Sequence, residues 1–273
     1  AGEAMATEWN VSVWGKRRAF TEHVEKIAEL VSAKTNGEFT LNISYGGLSN
    51  EKENLDGISI GAFEMAQFCA GLARADGVAT EAGRAMAARA RLDERRWQIL
   101  RSDPAFEAAA ARWNATLLMP TPMPQYNFVG AGDVPDSPED FQGMSVRALG
   151  GIGAAMQAIG AVPTSMSATE VRQSMDSGVV KAVSFAPHAH MSFGTIESAT
   201  WWTANLNPGT VNCPVVVNTD ALNALSDAER EALLGSVDEA LAHYIDYYEN
   251  ETMKAWGPAL EERGITSVSF DQA

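Results

Sequence analysis

Apolar and polar residues alternate through the opening "TEWNVSVWG", the period of a half-buried strand. The period then lengthens. In "KRRAFTEHVEKIAELVSAKTNG", Phe20, Val24, Ile27, Leu30 and Val31 recur at helical spacing, and Gly37 provides the stop. "FTLNISYGG" alternates again, so the order strand, long helix, strand predicts parallel pairing through a right-handed crossover. "LSNEKENLDGISIG" predicts a short helix from Ser49 or Asn50, and "AFEMAQF" a third strand. From Gly71 to Arg101 the chain is rich in Ala and Arg, with high helix propensity and weak periodicity. "DPAFEAAAARWN" predicts a helix capped by Asp103 with Pro104 in its first turn.

"ATLLMPTPMPQYNFVG" begins as a buried strand and continues through three closely spaced prolines, a stiff extended connection that predicts a boundary between two lobes. A second unit follows: "PDSPEDFQG" as a turn and short capped helix, "MSVRA" as a strand, "GIGAAMQAIG" as a helix, "SATEVRQSMDSG" as a second helix and "VVKAVSF" as a strand. Ser167 and Glu170 form a capping-box pattern for that second helix. "ATWWTANLN" and "TVNCPVVVN" are extended and carry the chain back to the first lobe. Ser226 and Glu229 then cap one long helix through "SDAEREALLGSVDEALAHYIDYYENETMKAW", expected to lie across both lobes, and "TSVSF" is a last strand. The expected division is 1–122 with 205–249 for lobe I, and 123–204 with 250–273 for lobe II.

The chain has 273 residues, room for two ordinary domains. Its formal net charge of -15 argues against nucleic acid or an anionic membrane as partner, because both call for a basic surface. No run of apolar residues is long enough to span a bilayer. The start lacks both an initiator Met and a basic-then-apolar signal, the pattern expected of a trimmed, exported chain. The two cysteines, Cys69 and Cys213, lack metal-type spacing. They read as small buried hydrophobes, with a bridge open to them if their strands are neighbours.

Arg147 stands out in the apolar run "FQGMSVRALGGIGAAMQAIGAVPTS". A buried guanidinium cannot lose its proton, so an anion is expected to meet it. Asp140 or Glu170 would make it a structural ion pair; a ligand carboxylate would make it a bidentate clamp, at the strand end where open α/β sheets gather ligands. The glycines that follow suggest a dinucleotide loop, but Met156 stands where the third glycine belongs. His188 and His190 would share a face if extended, and no third metal ligand stands out. There is no nucleophile elbow, and no catalytic constellation emerges. Trp14, Phe68 and Phe185 end predicted strands, and Trp201 and Trp202 sit in the connection back, which predicts an aromatic-walled pocket between lobes.

Several stretches resemble, in order, the periplasmic solute-binding proteins of tripartite ATP-independent periplasmic (TRAP) transporters, the DctP type. They are "FTEHVEKIAELVSAKTNGEFTLNISYGG", "LDGISIGAFEMAQF", "DFQGMSVRALGGIGAAMQAIGAVPTSMSATEVRQSMDSGVVKAV" and "VVVNTDALNALSDAEREAL". The resemblance implies an α/β, two-lobed periplasmic binding protein fold, with a ligand cleft between lobes and a long helix spanning both. It implies a periplasmic receptor without enzymatic activity or cofactor, a monomer that hands a small organic acid to TRAP membrane subunits without itself entering the membrane. It puts Arg147 on the carboxylate-clamping arginine. Two departures stand out: the 71–101 run is foreign to the pattern, and "KAVSFAPH" puts Lys181 where members carry an acid and Phe185 near a position that meets sugar hydroxyls. An aromatic acid such as a benzoate is therefore expected, walled by Trp14, Phe68, Phe185 and Trp201 or Trp202, with polar contacts from Gln67, Asn127 and Asn212. The competing expectation is a nucleotide- or metal-dependent α/β enzyme.

Overall fold

The structure, a computed structural model, describes residues 6–69, 108, 110–211 and 213–270. The Ala/Arg-rich stretch 71–101, the Asp103 cap with Pro104, and Asn212 lie outside the described residues. The chain divides into two compact units: Ala1–Pro122 with Asn212–Tyr247, and Met123–Val211 with Tyr248–Ala273.

Unit 1 is built on a five-stranded sheet in the order β2-β1-β3-β10-β4. Its strands are β1 (Thr7–Val13), β2 (Phe39–Tyr45), β3 (Met65–Gln67), β4 (Ala115–Met119) and β10 (Val215–Asn218). The alternation read in β1 is realised: Trp9, Val11 and Val13 are buried while Glu8 and Asn10 face outward. Helix α1 (Glu22–Lys34) buries Val24, Ile27 and Val31. It ends where Gly37, at φ 82°, takes the left-handed conformation and its N–H returns to Ser32 O at 2.8 Å. β1 pairs parallel with both β2 and β3, as the crossover order requires. β10 runs antiparallel between β3 and β4. The short helix α2 (Asn54–Ser59) precedes β3.

That β3–β10 pairing joins the two cysteines. Gln67 lies opposite Val215 and Phe68 N–H donates to Pro214 O, so Cys69 and Cys213 face each other and form a disulfide across a sequence separation of 144. Bonds of this kind persist in oxidising compartments.

Unit 2 holds a six-stranded sheet in the order β11-β9-β5-β8-β6-β7. The strands are β5 (Asn127–Gly130), β6 (Ser145–Arg147), β7 (Val162–Thr164), β8 (Ala182–Phe185), β9 (Trp201–Thr203) and β11 (Thr266–Val268). β6 is parallel to β7 and β8, and β5 is antiparallel to β8 and β9. Helices α3 (Gly150–Ala158), α4 (Val171–Asp176) and α5 (Pro187–Ser192) connect these strands.

The single long helix expected over 226–256 is instead segmented. α6 (Thr219–Ala224) is capped by Asn218, α7 (Asp227–Leu234) starts at a Ser226–Glu229 capping box, and α8 (Val237–Tyr247) leads through a π turn (Tyr248–Thr252) into α9 (Met253–Glu262). The break after α7 has a chemical cause. Gly235 is a poor helix former, and the Ser236 hydroxyl donates to Ala232 O at 2.6 Å, competing with the backbone ladder. The chain leaves unit 1 at Tyr247 and enters unit 2 at Tyr248, at the start of the π turn.

Closing so long a loop by a disulfide restricts the unfolded chain. Replacing both Cys69 and Cys213 by serine is expected to cost unit 1 about 2–5 kcal/mol. Thermal unfolding of the double variant measures this, and an unchanged melting temperature would contradict it.

Candidate functional site

In unit 2 the carboxyl ends of β6 and β8 and the amino end of β5 lie together, because β6 and β8 are parallel neighbours and β5 is antiparallel to β8. Arg147 is the last residue of β6 and is 1% exposed. Its Nη1 donates to Ser184 O at 3.0 Å and its Nη2 to Met166 O at 3.2 Å. Its guanidinium carbon sits 4.3 Å from the ring centre of Phe185, the last residue of β8. Two carbonyls and an aromatic face fix the plane of the guanidinium without adding net negative charge. Asp140 and Glu170, the two acids the sequence offered as partners, each hold a local cap. Asp140 accepts from the N–H groups of Asp136 and Ser137, which hold its carboxyl below the ordinary range. Glu170 accepts from Ser167 N–H at 3.1 Å.

Phe185 is stacked by Phe193 at 5.7 Å and met edge-on by His190 at 5.5 Å. Asn127 is its cross-strand partner. The Asn127 side-chain amide donates to Thr203 O at 3.0 Å and Asn207 Oδ1 at 2.9 Å. Arg147, Phe185 and Asn127 are therefore one constellation. The two tryptophans are placed differently. Trp201 is fully buried, edge-on to Phe141, and occupies the space a side chain at Gly130 would fill: a Cβ there would lie 1.9 Å from its ring. Trp201 is thus a core residue. Trp202 is half-buried and packs edge-on against Trp256 at 5.7 Å.

The histidine pair holds no metal-like arrangement. Pro187 opens α5, so His188 and His190 stand on a helix, where residues two apart point to opposite sides. His188 Nδ1 bonds the Tyr248 hydroxyl at 2.8 Å, whereas His190 bonds Thr195 and Asn127. Among the described residues, no group of three or more His, Cys, Asp or Glu side chains could hold a metal ion.

In unit 1, Trp14 and Phe20 meet edge-on at 5.1 Å, and the buried Arg18 guanidinium lies 5.7 Å and 4.7 Å from their ring centres while donating to Trp14 O and Lys16 O. Phe68 belongs to the hydrophobic core. Gln67 is fully buried and part of a network that the sequence did not predict. The Thr121 hydroxyl donates to Cys213 O at 2.6 Å, so it can only accept from Gln67 Nε2 and His23 Nε2, each at 2.9 Å. His23 therefore carries its proton on Nε2. Its Nδ1 and the Gln67 Oε1 are buried acceptors with no partner among the described residues. Thr121 is hidden in sequence among prolines, and Arg18 in a basic run that reads as an ordinary helix approach.

A separate open cavity of about 850 Å³ on unit 1 is lined by residues that include Arg17, Glu22, Glu25, Tyr45 and His243. Its charges are largely spent on one another. Arg17 forks onto Glu22 at 2.8 and 2.9 Å, and Tyr45 donates to Glu25 at 2.5 Å. Burial and that carboxylate push the Tyr45 phenol up.

The strand ends of the second sheet thus present one buried, oriented guanidinium beside an aromatic ring. The class comes from the family comparison: the DctP family, bacterial extracellular solute-binding protein family 7, matches residues 131–273, and the chain belongs to it. It is a periplasmic solute receptor of the TRAP type rather than an enzyme, which removes the nucleotide- and metal-dependent alternative. Solved structures share the fold. A TRAP periplasmic solute-binding protein from Roseobacter denitrificans with bound β-D-glucuronate is 22% identical, with TM-score 0.80, over 97% of this chain and 89% of that one. DctP7 of Bordetella pertussis, a receptor binding pyroglutamic acid, is 19% identical, with TM-score 0.83, over 98% and 89%. A TRAP solute-binding protein from Bordetella bronchiseptica RB50, with copurified calcium and picolinate, is 17% identical, with TM-score 0.78, over 98% and 82%. No curated protein matches the chain.

His23 and His190 are both fully buried, and desolvation pushes each from the ordinary 6.5 down to about 3. Both are neutral when folded and take up a proton on unfolding below pH 6.5, so stability is complete above 6.5 and declines as pH falls toward 3. The expected slope is about 1.4 kcal/mol per pH unit for each histidine. His23→Gln keeps a donor for Thr121 and removes one of the two titrations. Urea unfolding should then show the stability difference between wild type and variant shifting against the wild type from pH 7 to 4.5. A difference independent of pH would contradict the assignment.

Proposed function

We propose that the protein is the receptor for a small organic monocarboxylate, which it delivers to TRAP membrane subunits, and that Arg147 meets the carboxylate. The observation that carries this reading is the fixed guanidinium at the end of β6, held by Ser184 O and Met166 O against Phe185. An arginine fork suits a carboxylate better than a lysine does, because its donors are planar and paired. The related receptors named above carry small acids, namely glucuronate, pyroglutamate and picolinate, which supports the same chemistry here.

Within unit 2, Phe185 is the aromatic wall and Asn127 the polar neighbour. Phe185 with Phe193 behind it favours a flat or apolar acid, such as a benzoate, over a heavily hydroxylated one. Trp14, Gln67 and Phe68 in unit 1, Trp201 and Trp202 in unit 2, and Asn212 were further expected contacts. Of these, Trp201 and Phe68 are better accounted for by core packing.

A melting-temperature screen of benzoate, picolinate, pyroglutamate and glucuronate, followed by calorimetry, tests the proposal. Arg147→Ala is expected to lose about 2–5 kcal/mol of binding to whichever acid stabilises the wild type. Unchanged affinity in Arg147→Ala would remove the clamp. Stabilisation by glucuronate alone would leave the clamp in place and overturn the aromatic preference.

A further inference from the structure

The sequence singles out His190, and the solute-binding reading leaves it without a role. Its Nε2 lies 3.2 Å from Asn127 O, and its Nδ1 lies 2.7 Å from Thr195 Oγ1. A carbonyl oxygen only accepts, so Nε2 carries the proton and Nδ1 takes the hydrogen bond of the Thr195 hydroxyl. Both ring nitrogens are thereby fixed, one to the start of β5 and one to the turn after α5. Asn127 is the cross-strand partner of Phe185, so the first bond ties α5 to the strand end beside which Phe185 stands. One side of the imidazole packs edge-on to Phe185, and a face lies nearly parallel to Trp256 at 5.7 Å and 22°. Phe185 is therefore held by three groups: Arg147, Phe193 and His190.

We propose that His190 is a positioning residue for the arginine clamp: by pinning the Asn127 main chain and the ring of Phe185, it keeps Phe185 over the Arg147 guanidinium and so sets the plane in which a carboxylate is met. The inference rests on reading Arg147 as the clamp. His190 itself need not touch the solute. Trp256 backs the imidazole, and Trp202 packs edge-on against Trp256, so the support runs from α9 and β9 through α5 to the strand-end arginine.

The test reads the geometry with and without a solute. The Arg147 side-chain N–H resonances, identified by their loss in Arg147→Lys, are expected to be shifted upfield by the Phe185 ring current. His190→Gln, which keeps an amide donor for Asn127 O, should retain that shift and hold benzoate affinity within about threefold of the wild type. His190→Leu, which removes both hydrogen bonds, should return the resonances toward their ordinary positions and weaken benzoate binding by about tenfold. If His190→Leu does not fold, Thr195→Val, which removes only the hydroxyl bonded to Nδ1, carries the same test with a loss of about threefold. Arginine resonances unmoved in the folded variant would overturn the proposal. Wild-type protein that ignores benzoate would count against the proposed solute class, with the resonance shift still deciding the role of His190.

Discussion

The arrangement of unit 2 turns on one buried cation. Arg147 is 1% exposed at the end of a strand, and a guanidinium in that position keeps its charge whatever surrounds it. The parallel neighbours β6 and β8 end side by side, which brings the carbonyl of Ser184 and the ring of Phe185 to it. The segment after β7 contributes the carbonyl of Met166. These contacts orient the guanidinium at the strand end, and the clamp proposed above depends on that orientation. The supports behind it are also specific. Phe193, Phe185, His190 and Trp256 form an aromatic succession in which each ring packs on the next.

Unit 1 uses a different construction. Its polar interior is organised around the single hydroxyl of Thr121, which donates once and accepts twice and so dictates the protonation of His23 and the orientation of Gln67. Cys213, whose carbonyl takes the hydroxyl proton, is bridged to Cys69, so the covalent bond and the hydrogen-bond network share one anchor. Burying neutral histidines in both units makes the protein's stability depend on its staying above mildly acidic pH.

Periodicity made much of the fold legible. The alternation in "TEWNVSVWG" and the spacing of Val24, Ile27 and Val31 correspond to β1 and the buried face of α1, and Arg147 does stand at a strand end. What escaped was set by tertiary context. The disulfide, which the sequence leaves open, depends on two strands 144 residues apart becoming neighbours, and no local pattern decides that. His188 and His190 would share a face only on an extended backbone, and Pro187 instead starts a helix that turns them apart. Trp201 reads as a pocket wall because it sits in the connection back to the first lobe, in a chain with aromatics at several strand ends, yet the missing side chain of Gly130 opens a slot for it in the core. The long helix failed at Gly235 and Ser236, where a weak helix former is followed by a side chain that bonds the preceding turn. Thr121 carried no signal at all, because its importance comes entirely from what three distant segments place around it.

The central claim is that a carboxylate's charge, rather than its shape, is what Arg147 meets. The direct measurement is calorimetry of each stabilising acid beside its own primary amide, benzoate with benzamide and picolinate with picolinamide, on the wild-type protein. The two members of a pair are nearly the same size and differ in charge. The account predicts that the acid binds at least about thirtyfold more tightly than the amide, the size of a lost charge-assisted pair. Equal affinity for acid and amide would contradict it.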